Sequence, residues 1–161
     1  MKNRIYIGFG GGCHWCTEAV FQALKGVYKV EQGFMASEEY NAFSEAVIVD
    51  FNPQVIPLKV LIAIHLRTHS STNDHSFRSK YPSAIYTFNE QQHSDVLRLL
   101  DASRPDFDKP LVTQVLRFKT FKASDEHFQN YYQKDPKKPF CKTFIDPKLQ
   151  MLKREYSKYA F

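Results

Sequence analysis

The order of patterns along this chain predicts an α/β (α+β) fold, a ferredoxin-like split βαβ sandwich of two layers with a mixed or antiparallel sheet. Two observations carry that class. Apolar or alternating runs and helical patterns follow one another as β-α-β-β-α-β-α-β. No helical pattern separates the second strand from the third, so a doubly wound parallel sheet fits less well. Ile5 to Phe9 is an apolar run and reads as a buried strand. Cys13 to Leu24 puts Val20, Phe21 and Leu24 on one face of a helix that Gly26 stops. Val27 to Gln32 alternates as a second strand, and the polar segment Met35 to Asn41 reads as a loop or turn. Glu45 to Phe51 alternates again until Asn52-Pro53 ends it. Pro57 opens a helix through Leu66, at a position where its missing N–H costs little. Thr68 to Tyr81 is a long polar loop with His69, Asp74 and His75, and loops of that length inside compact domains are often functional. Ser83 to Phe88 reads as the fourth strand, Asn89 caps a helix to about Ser103, and Val112 to Phe118 reads as the fifth strand. Ser124 or Asp125 caps a short helix to about Tyr132, and Leu149 to Tyr159 predicts a terminal helix.

Size and charge narrow the possibilities. The 161 residues suit a single catalytic domain, 1–161, with a basic C-terminal extension over 134–161. Hydrophobic residues are 43% and aromatics 15%, a globular and not a disordered composition. Much of the formal charge of +5 lies in that extension. No aromatic–basic RNA motif accompanies it, so a solvated surface is expected and no nucleic acid partner. Met1 to Tyr6 lacks the apolar core of a signal peptide, and no apolar run is long enough to span a membrane. Three cysteines, an odd number, argue against a static disulfide framework and for a reducing, cytoplasmic setting.

The chemistry concentrates in Gly11-Gly12-Cys13-His14-Trp15-Cys16-Thr17-Glu18. Three glycines, Gly10 to Gly12, lead from a strand into a cysteine where a helical pattern begins. Free N–H groups and the helix dipole there favour negative charge, and the thiolate is the reactive form of a thiol. Cys16 follows three residues later, on the neighbouring turn. Cys13, Cys16 and His14 lack a second ligand pair at suitable spacing, so no metal site is expected.

Gly12-Cys13-His14-Trp15-Cys16-Thr17-Glu18-Ala19-Val20-Phe21 resembles the signature of the A-type peptide methionine sulfoxide reductases. Three further blocks agree in order. Glu45-Ala46-Val47 with Phe51-Asn52-Pro53 is similar to the family's Glu-Ala-Val segment and its following Asp/Asn-Pro. Tyr81-Pro82-Ser83-Ala84-Ile85-Tyr86 looks like its Tyr-Arg-Ser-Ala-Ile-Tyr block. Gln129-Asn130-Tyr131-Tyr132, Pro139-Phe140-Cys141 and Ile145-Asp146-Pro147-Lys148 match its C-terminal region. The resemblance implies a peptide-methionine (S)-S-oxide reductase acting on methionine sulfoxide, free or in peptides, with no cofactor.

The same resemblance implies residue roles. Cys13 attacks the sulfoxide sulfur, and Glu45 protonates the oxygen; a carboxyl in a partly apolar pocket keeps its proton to higher pH, as a general acid needs. Tyr81 and Asp74 hold the oxygen or an ordered water. Trp15 walls the methyl group. The sulfenic acid left on Cys13 condenses with Cys16 or Cys141, and thioredoxin or a similar dithiol resets the disulfide. Cys16 needs no large movement but needs local unwinding to reach disulfide geometry, so Cys141 stays open as the alternative. His14 stands where the family usually has Phe, which makes the substrate pocket more polar and pH-sensitive. Phe34 stands where the family usually has a hydrogen-bonding Tyr, a loss expected to slow reduction roughly tenfold to a thousandfold if nothing replaces it. The segment from Phe34 to Glu45 is shorter than usual, and Asp74 and Tyr81 are spaced more widely. Two other readings remain at this point: a general thiol–disulfide oxidoreductase on Cys13 and Cys16, and a non-catalytic paralogue that binds methionine sulfoxide.

Overall fold

The structure is a computed structural model that describes residues 4–11, 14–40, 42–69 and 83–161. Five strands form its frame: β1 (Ile5–Gly10), β2 (Val27–Ser37), β3 (Ser44–Phe51), β4 (Ala84–Thr87) and β5 (Gln114–Ala123). Three main helices connect them, α1 (His14–Gln22), α2 (Leu58–Arg67) and α3 (Glu90–Ser103). Toward the C-terminus come α4 (Tyr131–Lys134) and α5 (Asp146–Glu155). Asn89 caps α3 as its sequence predicts, its side chain accepting from the Gln92 N–H at 2.8 Å. Pro57 stands at the N-cap of α2.

The sheet is a mixed one and it closes. β1 pairs antiparallel with β3 and with β4, and β2 pairs antiparallel with β3. β5 then joins both remaining edges. Its first residues, Gln114 to Arg117, run parallel to β4, and Phe118 to Ala123 run antiparallel to β2. The result is a barrel in the order β1-β3-β2-β5-β4, where an open two-layer sandwich was expected. The reason lies in strand length: β5 is ten residues long, enough to serve one edge with each half. Closure leaves none of the five described strands at a free sheet edge.

Period-two alternation sorts the side chains. Ile7, Phe9, Val47, Val49, Phe51 and Ile85 face the helices and pack with Phe21 and Leu24, Leu61 and Ile62 of α2, and Val96 and Leu100 of α3. The opposite faces fill the barrel with Met35, Ala46, Ala84, Tyr86 and Leu116. Burial there pushes the Tyr86 hydroxyl up to about 12.

Three expectations change at element ends. Met35 to Ser37 extends β2 instead of opening a loop, because these residues pair with β5. The short helix before Tyr132 divides into a 3-10 turn at Glu126–Phe128 and α4, with Asn130 at φ 57° between them. The terminal helix starts earlier, at Asp146, after a π-helical turn over Cys141–Ile145. The last residues are stitched to the end of α1: Lys25 N–H donates to the Tyr159 carbonyl at 2.7 Å, and Phe161 N–H to the Ala23 carbonyl at 3.1 Å. Among the described residues no helix is long and apolar enough to cross a membrane.

Candidate functional site

The site is built where β1 runs into α1. Gly11 follows β1 with φ +133°, and a Cβ on it would stand 2.7 Å from His69 Cδ2. Only glycine fits that conformation and that space. The adjoining backbone is pinned by a polar chain. His65 Nε2 lies 2.7 Å from the Gly10 carbonyl oxygen, His69 Nε2 lies 2.7 Å from Ser83 Oγ, and Ser83 Oγ lies 2.6 Å from Thr113 Oγ1. His69, read as a loop polar group, belongs to this chain. α1 begins at His14, the residue after Cys13. Cys13 itself lies outside the described residues, as do Asp74, His75 and Tyr81.

The start of α1 faces a cleft of about 420 Å³ lined by His14, Trp15, Phe34, Glu45, Ser124, Asp125 and Phe128. Four of the residues named from sequence therefore meet in one place. Phe34 on β2 and Glu45 on β3 are register partners across the sheet. Gly33, the partner of Ala46, lets β2 come close to β5, since a Cβ there would meet the Lys122 carbonyl oxygen at 2.4 Å. The Gly33 carbonyl in turn lies 3.0 Å from His14 Nδ1, which fixes the imidazole over the sheet. His14 Nε2 stands 3.3 Å from Glu45 Oε1, and the His14 backbone N–H donates to the same oxygen at 3.4 Å. Oε2 has no hydrogen-bond partner among the described residues. Phe34 meets the His14 ring edge-on at 5.4 Å.

The opposite wall is aromatic. Trp15 stacks on Tyr131 with centroids 4.1 Å apart and planes 3° from parallel, and lies 6.2 Å from Phe128. Its buried Nε1 has no hydrogen-bond partner among the described residues. A larger groove of about 550 Å³ adjoins at Ser124, with Gln22, Tyr28, Gln129 and Gln133 on its sides. It includes neither the Glu45 carboxyl nor the first residues of α1, so the smaller cleft is the candidate for chemistry.

Three residues that sequence reasoning left without a role hold this wall. Glu18, fully buried one turn along α1, accepts from Gln32 Nε2 at 2.8 Å, Asn130 N–H at 2.9 Å and Tyr131 N–H at 3.2 Å. It thereby ties Asn130 and Tyr131 beneath Trp15. The signal was present, because Glu18 and the Asn130-Tyr131 pair both sit in motif blocks, but only a contact map joins them.

Cys16 and Cys141 are not among the cleft's lining residues. Both belong to one apolar cluster with Ala19, Ile145, Tyr131 and Phe140, and neither is in a disulfide. Burial pushes the Cys141 thiol up, opposed by the nearby Lys138 cation. Its S–H donates to the Asp135 carbonyl at 3.5 Å, so the neutral form is the one held. Among the described residues no three His, Cys, Asp or Glu side chains gather as a metal site.

The chain and its fold are similar to those of known proteins. The family model described as peptide methionine sulfoxide reductase matches residues 5–160. A peptide methionine sulfoxide reductase MsrA of Psychrobacter sp. (strain PRwf-1) is 35% identical over 167 residues, covering 93% of this chain and 95% of that protein. The crystal structure of Mxr1 from Saccharomyces cerevisiae in reduced form superposes with a TM-score of 0.75 at 21% identity, over 86% of this chain and 90% of that one. Mxr1 in complex with Trx2 superposes with a TM-score of 0.63 at 21% identity, over 80% and 85% of the two chains.

Proposed function

We propose that this chain, which belongs to the peptide methionine sulfoxide reductase family, reduces methionine sulfoxide to methionine with a cysteine thiolate as nucleophile. The observation that carries the mechanism is the approach of Glu45, from β3, to the first residue of α1, directly after Cys13 in the chain. The Cys13 thiolate attacks the sulfoxide sulfur, Glu45 gives the oxygen a proton, and methionine leaves. Sulfur in the substrate is reduced by two electrons and Cys13 is oxidised to a sulfenic acid. A second thiol then expels water to form a disulfide, and an external dithiol exchanges with it. The step draws on no metal or organic cofactor.

Trp15 forms the wall for the methyl group, on its flat support of Tyr131. Tyr81 and Asp74 hold the oxygen, and Phe34 contributes apolar contact but no donor. Cys16 is the first choice for the second thiol and Cys141 the alternative; their shared cluster supports either. The substrate is the (S)-S-oxide, free or in peptides, and the complex of yeast Mxr1 with Trx2 supports thioredoxin or a similar dithiol as reductant. The chain works as one catalytic domain in the cytoplasm. The antiparallel run β4-β1-β3-β2 supports a split βαβ, ferredoxin-like unit within the barrel, which β5 then closes.

Incubation with a methyl sulfoxide and dithiothreitol tests the activity. Wild type is expected to release the thioether and Cys13→Ser to release none. Equal release from both variants sinks the reading. A general thiol–disulfide oxidoreductase would reduce disulfides and leave the sulfoxide untouched. Mass spectrometry of the oxidised protein then reads which cysteine is joined to Cys13.

A further inference from the structure

His14 lines the cleft, and its two ring nitrogens have different neighbours. Nδ1 faces a carbonyl oxygen, which can only accept, so Nδ1 carries a proton in every charge state. Nε2 is therefore the ring nitrogen left to exchange a proton with a neighbour, and it faces Glu45 Oε1 at 3.3 Å. Both side chains are largely buried, at 9% and 15% exposure. The other oxygen of Glu45 is left for substrate.

We propose that His14 and Glu45 act as one acid, sharing a single proton between Nε2 and Oε1 and delivering it to the sulfoxide oxygen. This rests on the reductase reading above. In the resting couple the proton lies between imidazole and carboxylate. As the thiolate–sulfur bond forms and the sulfur–oxygen bond breaks, the proton passes to the carboxyl, the carboxyl turns to present it, and the departing oxygen takes it. The couple is left as neutral imidazole and carboxylate, and one solvent proton resets it. His14 is a positioning and proton-holding residue; Glu45 is the group that meets substrate.

Among the described residues, the surroundings leave the pair to each other. Glu18, on the next turn of α1, is occupied by three donors. Asp125 lines the same cleft beyond β5, and Lys122, exposed on β5, pairs in register with Phe34. Tyr131 of α4 lies behind Trp15. Cys13 precedes His14 in sequence. Among the groups facing His14 from neighbouring strands, Glu45 is thus the one within ion-pair distance of Nε2.

The test compares wild type, His14→Phe and His14→Gln across pH, with a methyl sulfoxide and dithiothreitol. Without the imidazole the shared proton has one base fewer to rest on. The high-pH loss of turnover should therefore move down, most clearly in His14→Gln, where no apolar ring takes the place of the imidazole, with a deficit of roughly tenfold or more at alkaline pH that narrows toward acid. Iodoacetamide alkylation of Cys13 over the same range should keep its pH profile. A turnover limb that stays in place, or an alkylation profile that moves with it, overturns the proposal. A readout independent of turnover is the proton resonance of the His14 Nε2–H, expected in wild type and lost in Glu45→Gln. Should wild type reduce no sulfoxide, the functional reading fails, and this resonance still decides whether the couple exists: its persistence in Glu45→Gln refutes it.

Discussion

Two carboxylates stand close to the start of α1, and they are treated in opposite ways. Glu18 is fully buried and its oxygens take three donors, two of them backbone N–H groups of the segment before and within α4. Glu45 keeps partial exposure, has a histidine at one oxygen and has no described hydrogen-bond partner at the other. A carboxylate with three of its four lone-pair sites taken fixes structure, because both oxygens are already committed to donors. A half-satisfied one at a cleft retains capacity for a substrate atom, and that capacity is what general-acid chemistry requires.

Substitution separates the two roles. Glu45→Gln preserves shape and removes the transferable proton. Turnover of a methyl sulfoxide should fall by roughly a hundredfold to ten-thousandfold while the thermal midpoint stays close to wild type. Retained turnover would mean that the proton comes from elsewhere. Glu18→Ala should do the reverse. It strips three donors, one of them fully buried, of their acceptor and should lower stability by about 3 kcal/mol in urea unfolding. Its kcat per folded molecule should remain near wild type, with any loss in KM, because Tyr131 supports Trp15. A collapse of kcat in fully folded Glu18→Ala would erase the distinction.

The barrel interior offers a third environment, dry and uncharged, and a smaller effect. Tyr86 ionises in the unfolded chain near its ordinary value of 10.0 but in the folded chain at about 12. The folded state thus holds the proton longer. Its contribution is complete below pH 10 and is lost as pH climbs from 10 toward 12, by about 3 kcal/mol in all. Tyr86→Phe should flatten that alkaline decline in a denaturation series. An unchanged decline would show that the interior is wetter than its packing.

Local signals were readable and long-range ones were not. Asn89 as a cap, Pro57 at a helix start and the alternation of Glu45 to Phe51 all act within a few residues, and each lies where its chemistry predicts. The alternation of β2 ends at Gln32 and the polar Met35 to Asn41 reads as a loop, yet β2 continues to Ser37 because β5 approaches closely there. Closure of the barrel depends on both halves of β5 meeting strands far away in sequence, and no periodicity within Gln114 to Ala123 encodes that. In the site, His14, Trp15, Phe34 and Glu45 could be named because motif blocks carry them. What fixes His14 is a main-chain oxygen of Gly33, and main-chain atoms leave no mark in a sequence. Glu18 was hidden for a related reason, since two of its three partners are peptide nitrogens.

The chain has one tryptophan, and it is Trp15, face to face with a tyrosine on the wall of the cleft. Its ultraviolet emission therefore reports from a single known location. Any molecule that settles against that indole changes the local polarity and the quenching by its neighbours. Occupancy can be followed in real time on unlabelled protein, with no coupled assay and no dye.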